Sequence, residues 1–439
     1  MASRHLAGGS FLNRFRRDEM LFINKQRYVR SDLASEFNKM DATDKLSNPE
    51  GKGYAVCVND PFLLITLLMY LRERSASIIL IHEDTPKTTA AELATRARCH
   101  YLVYGQLDEI LTLQPPATVH EPSLLQFSSG TTGEPKLIAR RWSQIDSEID
   151  SYNRKLSPSS MDRPLILVPV SHSYGLITGL LAGMAREAEP IVVHSKNPKF
   201  SLHMIQTTEN SFVYAVPFLY HLLNALGKDE LKYHKLISSG APLNETLLAR
   251  LKRVSDEVWQ QYGCTETGCV SLGTQLTDYT DVGTPLDDLQ VSIASDGTEV
   301  SSADLPSEII VTGGAGRVNT KDVGYWSEGG RLHLSGRMDD LINLSGLKVI
   351  PAEVERVMER MPGVEEAVVY RMNHSIWGEA VQALAVVSGA VSQNDLRQWC
   401  IEHLPAYKVP SAIKIVKEIP KSAAGKISRK YLCEMERDA

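Results

Sequence analysis

Hydrophobic positions along the first half of this chain alternate between helical spacing and short continuous apolar runs. Residues 61–71 form an apolar segment that predicts a helix, and residues 77–81 follow as a predicted buried strand. Helical spacing over residues 87–98 then precedes a second apolar segment at residues 101–104. Helices that alternate with apolar strands in this way predict an α/β domain whose sheet is largely parallel.

The alternation continues further along the chain, and several predicted strands end in polar or small residues. Residues 164–170 are apolar and lead into His172, and residues 235–237 lead toward Gly240. A further predicted strand leads into Glu266. Because ligands bind outside the carboxyl ends of strands in open parallel sheets, these strand ends are candidate site positions.

A more β-rich region is predicted over residues 282–335, and a final stretch of small-domain size follows it. The helices and strands predicted in that final stretch are residues 351–358, 366–370, 380–387 and 394–404. We therefore predict an α/β fold in which residues 1–336 form a large N-terminal domain of sheets flanked by helices, including the β-rich subdomain. Residues 337–439 form a small α+β C-terminal domain.

Composition and charge narrow the functional classes. The chain has 439 residues, 43% of them apolar and 23% charged, which is typical of a globular protein with two or three domains. Its net charge of −6 comes from mixed signs without a long run, which argues against nucleic acid as a partner.

Cysteines and apolar runs bear on the compartment. The six cysteines form no Cys-x-x-Cys pair, so neither a zinc site nor a disulfide framework is indicated and we expect a reducing cytoplasm. The first 30 residues lack the apolar core of a secretory signal, and the longest apolar run is too short to cross a bilayer. We therefore expect no membrane partner.

Candidate chemistry concentrates in residues 127–136. The hydroxyl, glycine and lysine residues of this segment are Ser128, Ser129, Gly130, Thr131, Thr132, Gly133 and Lys136. Hydroxyls and exposed backbone N–H groups donate hydrogen bonds to phosphate oxygens, glycines allow close backbone approach, and the lysine adds a positive charge. Glu134 and Pro135 separate Gly133 from Lys136, so the spacing does not fit a Walker A loop. The composition alone is equally typical of an ordinary surface loop.

Three later segments add candidate groups, and each has an ordinary structural alternative. His172 follows its strand directly, although a histidine in such a place is commonly structural. Residues 238–243 could be only a turn that leads into a helix. The next strand ends in an aromatic ring, a glycine, a hydroxyl and a carboxylate. Tyr262 can stack on adenine, Thr265 can donate a hydrogen bond to the α-phosphate, and Glu266 can hold Mg²⁺.

The phosphate-type loop and the order of the later motifs resemble the AMP-forming adenylating enzymes, the superfamily of acyl-CoA synthetases, peptide-synthetase adenylation domains and firefly luciferase. The matching segments are Pro-x-x-His-x-x-Gly-Leu at 169–176, Ser-Gly-Ala-Pro at 239–242, Tyr-Gly-x-Thr-Glu at 262–266 and Thr-x-Asp at 320–322. Residues 336–346 look like the hinge of that family, and Lys426 stands where the family has a mobile catalytic lysine. Within the family, the chain is most similar to a short stand-alone aryl or acyl acid–AMP ligase.

The resemblance implies which residues contact ATP and Mg²⁺. Lys426 would bridge the substrate carboxylate and the α-phosphate, and Glu266 would place the metal. The residues with an implied catalytic role are Lys426, His172, Glu266 and Thr265. The residues with an implied nucleotide contact are the phosphate loop from Ser128 to Lys136, Gly240, Ala241, Pro242, Tyr262, Gly263, Thr265, Asp322, Arg337 and Lys426. Of these, Asp322 and Arg337 would contact the ribose.

The resemblance also implies an acid site and a hinge. The residues expected to face the acid are His172, Ser173, Gly240, Gln261, Cys269 and Val270. His172 would orient the substrate or act as a gate. Ser173 offers no charge for an α-ammonium group, which favours an acid without one, and a hydroxylated aryl acid such as a hydroxybenzoate suits the small or polar set. Asp339 would be the hinge residue, so we expect the C-terminal domain to be mobile.

The expected reaction is ATP- and Mg²⁺-dependent activation of a carboxylic acid to an acyl-adenylate with release of pyrophosphate, followed by transfer to a thiol. Asn343 stands where many CoA ligases have a lysine, which favours the phosphopantetheine of a carrier protein in siderophore or other secondary-metabolite biosynthesis. A ligase for an aryl or fatty acid with CoA as acceptor is the alternative. Lys321 replaces the usual glycine before Asp322, and it supports a different class, an inactive nucleotide-binding sensor or scaffold. A luciferase-like oxygenase is a further alternative.

Overall fold

The computed structural model of the chain describes residues 19–113, 121–128, 136–156, 162–227, 231–295, 298–299, 306–344, 347–374, 378–421 and 427–437. The strands in these ranges are β1 (Glu19–Ile23), β2 (Gln26–Val29), β3 (Gly53–Val58), β4 (Ser77–Leu80), β5 (Tyr101–Gly105), β6 (Ile110–Thr112), β7 (Ser123–Ser128), β8 (Lys136–Arg141), β9 (Arg163–Ile166), β10 (Ile191–Val192), β11 (Ser211–Ala215), β12 (Tyr233–Ser238), β13 (Ser255–Cys264), β14 (Gly268–Gly273), β15 (Asp281–Pro285), β16 (Gln290–Ser295), β17 (Thr298–Glu299), β18 (Ser307–Gly313), β19 (Gly316–Trp326), β20 (Leu332–Arg337), β21 (Ile342–Leu344), β22 (Leu347–Val349), β23 (Val364–His374), β24 (Gly378–Val387) and β25 (Ala412–Ile415).

Helices separate many of these strands. The α-helices are α1 (Arg30–Asp41), α2 (Pro61–Glu73), α3 (Lys87–Arg96), α4 (Trp142–Leu156), α5 (Ala182–Ala185), α6 (Pro198–Thr207), α7 (Pro217–Gly227), α8 (Glu245–Val254), α9 (Pro351–Glu359), α10 (Gln393–His403) and α11 (Arg429–Arg437). A π-helix spans Tyr174–Leu181, and 3-10 turns span Met338–Asp340 and Ala406–Lys408.

The local sequence explains where several helices begin. Asp60 caps α2, because its carboxylate accepts a hydrogen bond from the Phe62 N–H at 2.9 Å, and Pro61 fits the first turn, where no N–H partner is needed. Asn244 caps α8 in the same way through the Leu247 N–H. The alternation of helix and strand predicted from hydrophobic spacing is confirmed in this part of the chain.

The predicted strand at residues 164–170 is too long. β9 ends at Ile166, and the chain then turns, with the Pro169 carbonyl accepting a hydrogen bond from the His172 N–H at 3.2 Å. The pairing with β11 ends at Ile166, and Pro169 has no N–H with which to resume it. The apolar run therefore overstates the strand, and its second half forms the approach to His172.

Two sheets make up most of the molecule. Among the described residues, fourteen strands form one sheet in the order β17-β16-β18-β19-β20-β15-β14-β13-β12-β11-β9-β10-β1-β2. In this spatial order, neighbouring strands from β13 through β12, β11, β9 and β10 to β1 pair in parallel. All neighbouring strands from β13 and β14 outward to β17 pair antiparallel. The second sheet has the order β6-β5-β3-β4-β7-β8, with a parallel centre and an antiparallel strand at each end. These sheets confirm the mixed α/β class and place the predicted β-rich region on the antiparallel side.

The C-terminal part forms a sheet of its own. β22, β21, β24 and β23 pair in that order, and β25 adds to β24 in parallel. α9, α10 and α11 accompany this sheet, and its core includes Val354, Val369 and Leu396. A large sheet-containing part and a smaller α+β part are thus confirmed, while the boundary at residue 336 and the mobility of the small part stay predictions.

Candidate active site

The carboxyl ends of neighbouring parallel strands bring several predicted segments to one edge of the main sheet. β12 ends at Ser238, just before Gly240, and β13 runs beside it with Gln260 opposite Ser238 before ending at Cys264. Gly240 has a φ of +84° and is exposed together with Ala241 and Pro242. Such a backbone conformation suits glycine. Residues 240–242 therefore present an exposed segment at this edge of the sheet.

Asp322 lies in the predicted ribose position between two hydrogen-bonding groups. The Tyr262 hydroxyl donates to Asp322 Oδ2 at 2.7 Å, and Arg337 Nη1 lies 3.2 Å from Asp322 Oδ1. Burial raises the pKa of Asp322, while Arg337 and then Tyr262 lower it and the nearby Glu266 raises it. The structure therefore brings together Tyr262, Asp322, Arg337 and Glu266, four residues that the sequence assigned to one nucleotide.

Tyr262 has a contact that the sequence did not predict. Its side chain is 6% exposed and packs in the core of the β-rich region with Val270 and Val282. Burial, followed by the charge of Asp322, raises the pKa of the Tyr262 hydroxyl well above its ordinary value, so this group stays a hydrogen-bond donor at neutral pH. Stacking of the Tyr262 ring on adenine stays a prediction.

The turn between β13 and β14 carries Thr265 and Glu266, which are both partly buried. Its ends are tightly packed, because a Cβ atom on Gly263 would lie 2.2 Å from the Gly268 carbonyl oxygen. Cys264 Sγ lies 3.1 Å from Thr267 Oγ1, and burial raises the pKa of this thiol to about 11. The Cys264 thiol is thus protonated at neutral pH and unsuited to act as a nucleophile.

The ends of the predicted phosphate loop are fixed by strand pairing. β7 and β8 are antiparallel with Ser128 opposite Lys136, and the Ser128 hydroxyl donates to the Lys136 carbonyl at 3.4 Å. The residues between them, which include Ser129, Gly130, Thr131, Thr132 and Gly133, lie outside the described residues. The loop thus connects two adjacent strands at an edge of the second sheet.

His172 and Ser173 lie where the main sheet meets the strand that enters this loop. The Ser173 hydroxyl donates to Gln126 Oε1 on β7 at 2.6 Å. His172 is exposed, and its ring centroid is 6.5 Å from that of His82. Gly175 allows the tight turn that positions them, since a Cβ atom there would lie 2.6 Å from the Pro169 carbonyl oxygen.

Of the other residues expected to face the acid, Gly240 is exposed, whereas Gln261, Cys269 and Val270 are buried. Gln261 is 6% exposed, and its side-chain oxygen has no hydrogen-bond partner within the described ranges. Cys269 and Val270 are fully buried in two different cores, Cys269 beside α4 and the π-helix and Val270 with Tyr262. Cys269 also lines a cavity of about 310 Å³ between α4 and the β18–β19 turn. The roles of these residues toward an acid stay predictions.

Lys321 and Asp339 contact one another. Lys321 has a φ of +61°, its N–H donates to Glu308 Oε1 at 3.1 Å, and its Nζ lies 3.4 Å from Asp339 Oδ1. The lysine that replaces the usual glycine thus extends toward the predicted hinge residue. Its effect on nucleotide affinity stays open.

Lys426 lies outside the described residues. Lys421, five positions earlier, contacts the main sheet's edge, with its Nζ 5.9 Å from the Phe218 ring centroid at the start of α7. α7 follows β11, whose carboxyl end lies at the same edge as that of β12. Lys421, which also pairs with Glu366 at 2.8 Å, therefore lies near this edge.

The sequence reading missed two charged residues near the candidate site. Arg140 on β8 and Glu148 on α4 form a buried ion pair, and Glu148 also contacts the backbone of Cys269. Glu148 lies on the same buried face of α4 as Ile145 and Ile149. A charged residue at an otherwise apolar helical position is the feature of the sequence that could have pointed to it.

The described residues contain no helix long and apolar enough to cross a membrane.

Family comparisons agree with this arrangement along most of the chain. The family model described as AMP-binding enzyme matches residues 56–316, and the model described as AMP-binding enzyme C-terminal domain matches residues 353–426. The chain therefore belongs to the AMP-binding enzyme family, and the predicted class of ATP-using, adenylate-forming ligase is confirmed at that level.

A 3,4-dihydroxybenzoate–[aryl-carrier protein] ligase from Bacillus anthracis is 45% identical over 94% of this chain and 98% of its own length. A 2-succinylbenzoate–CoA ligase from Bacillus velezensis is 28% identical over 87% of this chain and 83% of its own length.

Solved structures share the fold. ATP-bound MatB from Rhodopseudomonas palustris has a TM-score of 0.84 at 18% identity, covering 98% of each chain. The o-succinylbenzoate coenzyme A synthetase MenE from Bacillus subtilis, in complex with ATP and magnesium ion, has a TM-score of 0.81 at 21% identity over 96% of this chain and 98% of its own. These likenesses support the two-part α/β architecture.

Proposed function

We propose that this protein activates 3,4-dihydroxybenzoate, or a closely related hydroxylated aryl acid, with ATP and transfers the aroyl group to the phosphopantetheine thiol of a carrier protein. The observation that carries this proposal is the 45% identity, along nearly the whole of both chains, to a ligase named for that acid and that acceptor. The oxygen of a carboxylate is a poor leaving group. When that oxygen bonds to the α-phosphorus of ATP and pyrophosphate leaves, the acyl carbon carries AMP, which a thiol can displace. The enzyme's contribution is positioning and charge stabilisation.

The nucleotide would bind along the edge formed by β12, β13 and β19. Asp322, held by Tyr262 and beside Arg337, would accept hydrogen bonds from the ribose hydroxyls, which suits the two oxygens of a carboxylate. Thr265 would donate to the α-phosphate, and the loop between Ser128 and Lys136 would hold the departing pyrophosphate. Lys426 would neutralise negative charge on the substrate carboxylate and the α-phosphate as attack proceeds.

Glu266 fits a magnesium ion that arrives with the nucleotide. Mg²⁺ is commonly held by one or two carboxylates together with substrate phosphates and water. Glu266 lies in the turn after β13, and its negative charge contributes to the raised pKa of Asp322, which supports placing it on the nucleotide side of this turn. When bound there, the ion would screen the phosphate charge that builds up during adenylate formation.

Neutral polar groups would recognise the aryl acid. The Ser173–Gln126 pair and the buried Gln261 oxygen supply hydrogen-bonding atoms without a charge. The Gln261 oxygen can accept a hydrogen bond from a phenolic hydroxyl. An acid without that hydroxyl would leave this buried oxygen without a partner, which weakens its binding. Benzoate is therefore expected to be a much poorer substrate than a dihydroxybenzoate.

A CoA ligase is the second candidate. The observation that favours it is the similarity to 2-succinylbenzoate–CoA ligases at 28% identity. Asn343, which is exposed on β21 and donates its backbone N–H to Glu379 Oε2 at 2.6 Å, supports the carrier protein instead, because many CoA ligases have a lysine at this position.

Pyrophosphate exchange into ATP tests the proposal when it is measured over a panel of benzoates, fatty acids and amino acids. We expect exchange to depend on a dihydroxybenzoate and to be at least 10-fold weaker with benzoate. Mass spectrometry of an aryl-carrier protein with its phosphopantetheine arm, compared with free CoA, then identifies the acceptor. Exchange with none of the acids would favour the inactive sensor, and preferred loading of CoA would favour the second candidate.

A further inference from the structure

A buried ion pair links the strand that leaves the phosphate loop to the turn that carries Thr265 and Glu266. Arg140 lies on β8, which begins at Lys136, and its Nη2 atom is 2.5 Å from Oε2 of Glu148 on α4. Their side chains are only 4% and 5% exposed. The other carboxylate oxygen of Glu148 accepts a hydrogen bond from the backbone N–H of Cys269 at 2.7 Å. One carboxylate therefore connects β8 with the residue that follows the turn.

The turn also rests directly on this carboxylate. Gly268 closes the turn with a φ of +77°, a conformation that favours glycine. A Cβ atom at Gly268 would lie 2.2 Å from Oε2 of Glu148, so the carboxylate occupies the space that any side chain would need. The position of Glu148 thus determines how close the end of the turn lies to α4.

Stability alone does not explain a charged pair at this place. The desolvation of two buried charges commonly offsets their attraction, and apolar replacements are often neutral or stabilising. Arg140 Nη1 is buried and has no hydrogen-bond partner among the described residues, so the pair is not even fully satisfied. Glu148 also interrupts the apolar stripe of α4. A role in positioning accounts for these features together.

We propose that Arg140 and Glu148 are positioning residues for adenylate formation. The ion pair holds the turn that carries Thr265 and Glu266 at a fixed position relative to β7 and β8, the strands on either side of the phosphate loop. The groups proposed for the α-phosphate and the metal thereby stay at a fixed separation from the groups proposed for the pyrophosphate. This inference rests on the proposed function, because that function assigns both segments to one nucleotide. A displacement of such groups by about 1 Å commonly costs up to 10²-fold in rate.

The double variant Arg140→Met, Glu148→Gln tests this role. The glutamine keeps an acceptor for the Cys269 N–H, and the methionine fills the space of the arginine stem, so the variant breaks only the link to β8. We expect the melting temperature to stay within a few degrees of wild type. Exchange of pyrophosphate is expected to fall about 10-fold or more, with a higher KM for ATP and an unchanged KM for the acid. Arg140→Lys, which keeps the charge, should retain part of the lost activity.

A second buried ion pair provides the matched control. Lys235 and Asp162 lie 2.8 Å apart with side chains 10% and 7% exposed, at the amino-terminal part of β12 and away from the site edge. The variant Lys235→Met, Asp162→Asn removes the same kind of interaction. We expect its exchange rate and its KM for ATP to match wild type.

ATP affinity, measured by calorimetry without any acid, separates this inference from the proposed function. Weaker ATP binding by the folded Arg140→Met, Glu148→Gln variant than by wild type supports the inference even if neither protein exchanges pyrophosphate. Equal ATP affinity and equal exchange in the folded variant and wild type would overturn it. Should the double variant fail to fold, the single variant Glu148→Gln is tested with the same two readouts and the same criteria.

Discussion

Asp322 shows how single residues shape the proposed nucleotide site. Its carboxylate is largely buried, which raises its pKa, and it keeps its orientation through the Tyr262 hydroxyl on one oxygen and Arg337 beside the other. The ionised form can accept two hydrogen bonds in a fixed direction. The side chain of Lys321, the residue before it, extends toward Asp339, with 3.4 Å between Nζ and Oδ1.

We expect Tyr262→Phe to raise the KM for ATP about 10-fold or more, because a hydrogen bond to a charged group is worth roughly 1.5 kcal/mol or more. The maximal rate should change less, since the hydroxyl orients Asp322 and does not touch the reacting atoms. Tyr233→Phe is the control, because the Tyr233 hydroxyl is buried without a partner in the described part of the chain. Steady-state kinetics at varied ATP check both variants, and an unchanged KM in Tyr262→Phe would count against this role of Asp322.

Among the elements, α9 carries an acidic group with unusual surroundings. Burial, followed by repulsion from Glu355, raises the pKa of Glu359 to about 7, although the Ala367 N–H donates to it at 3.4 Å. The Glu355 carboxylate is itself held by Arg429, with 2.8 Å between Oε1 and Nη2. The C-terminal part therefore contains a carboxyl group that changes its charge near neutral pH.

This raised pKa predicts a pH dependence of stability. The folded protein binds the Glu359 proton more tightly than the unfolded chain, so the stabilisation is complete below about pH 4.5 and is lost as the pH rises through about 7. Glu359→Gln should therefore raise the melting temperature more at pH 8 than at pH 5.5, by a few degrees. The exposed Glu365→Gln should show no such difference. Equal shifts at both pH values in thermal unfolding would contradict the prediction.

The elements themselves were largely predictable from the sequence, whereas the contacts between distant elements were not. Apolar runs predicted α2, β4 and β12, because these elements are buried along most of their length. The pairing of Tyr262 with Asp322 spans 60 positions, and that of Glu148 with Cys269 spans 121. Such contacts depend on the order of strands in the sheet, which spacing along the chain does not encode.

The candidate site was predictable mainly where a motif was recognisable. Glu266, Asp322 and Arg337 were assigned from their motifs and do lie together. Arg140 and Glu148 belong to no such motif, and only a charge on an apolar helix face marks one of them.

On the scale of the whole molecule, exposed or partly exposed ion pairs are among the contacts between the C-terminal part and the rest. Arg360 pairs with Glu245 at 2.9 Å, and both side chains are more than half exposed. The Lys321–Asp339 pair is also partly exposed. Exposed pairs contribute on the order of 0–1 kcal/mol each, so contacts of this kind can be exchanged for others at small cost. Asp339 is the expected hinge residue, and we propose that the C-terminal part rotates about it between adenylate formation and transfer to the thiol.

Asp339→Pro tests the rotation, because proline restricts the backbone torsion that must change. We expect pyrophosphate exchange to stay within about threefold of wild type, while transfer to the carrier protein falls 10-fold or more. The two half-reactions are measured separately, by exchange and by mass spectrometry of the carrier. An equal loss of both would contradict a hinge at this residue.

We propose that groups from both parts of the chain act on one ATP molecule, and the variant Lys426→Ala is the sharpest test of this proposal. The measurement is pyrophosphate exchange into ATP with 3,4-dihydroxybenzoate, with Lys421→Ala as the control lysine from the same segment. We predict that Lys426→Ala loses about 10²-fold or more, the scale of one electrostatic contact in a transition state, while Lys421→Ala stays near wild type. Exchange by Lys426→Ala at the wild-type rate would contradict a role of the C-terminal part in adenylate formation.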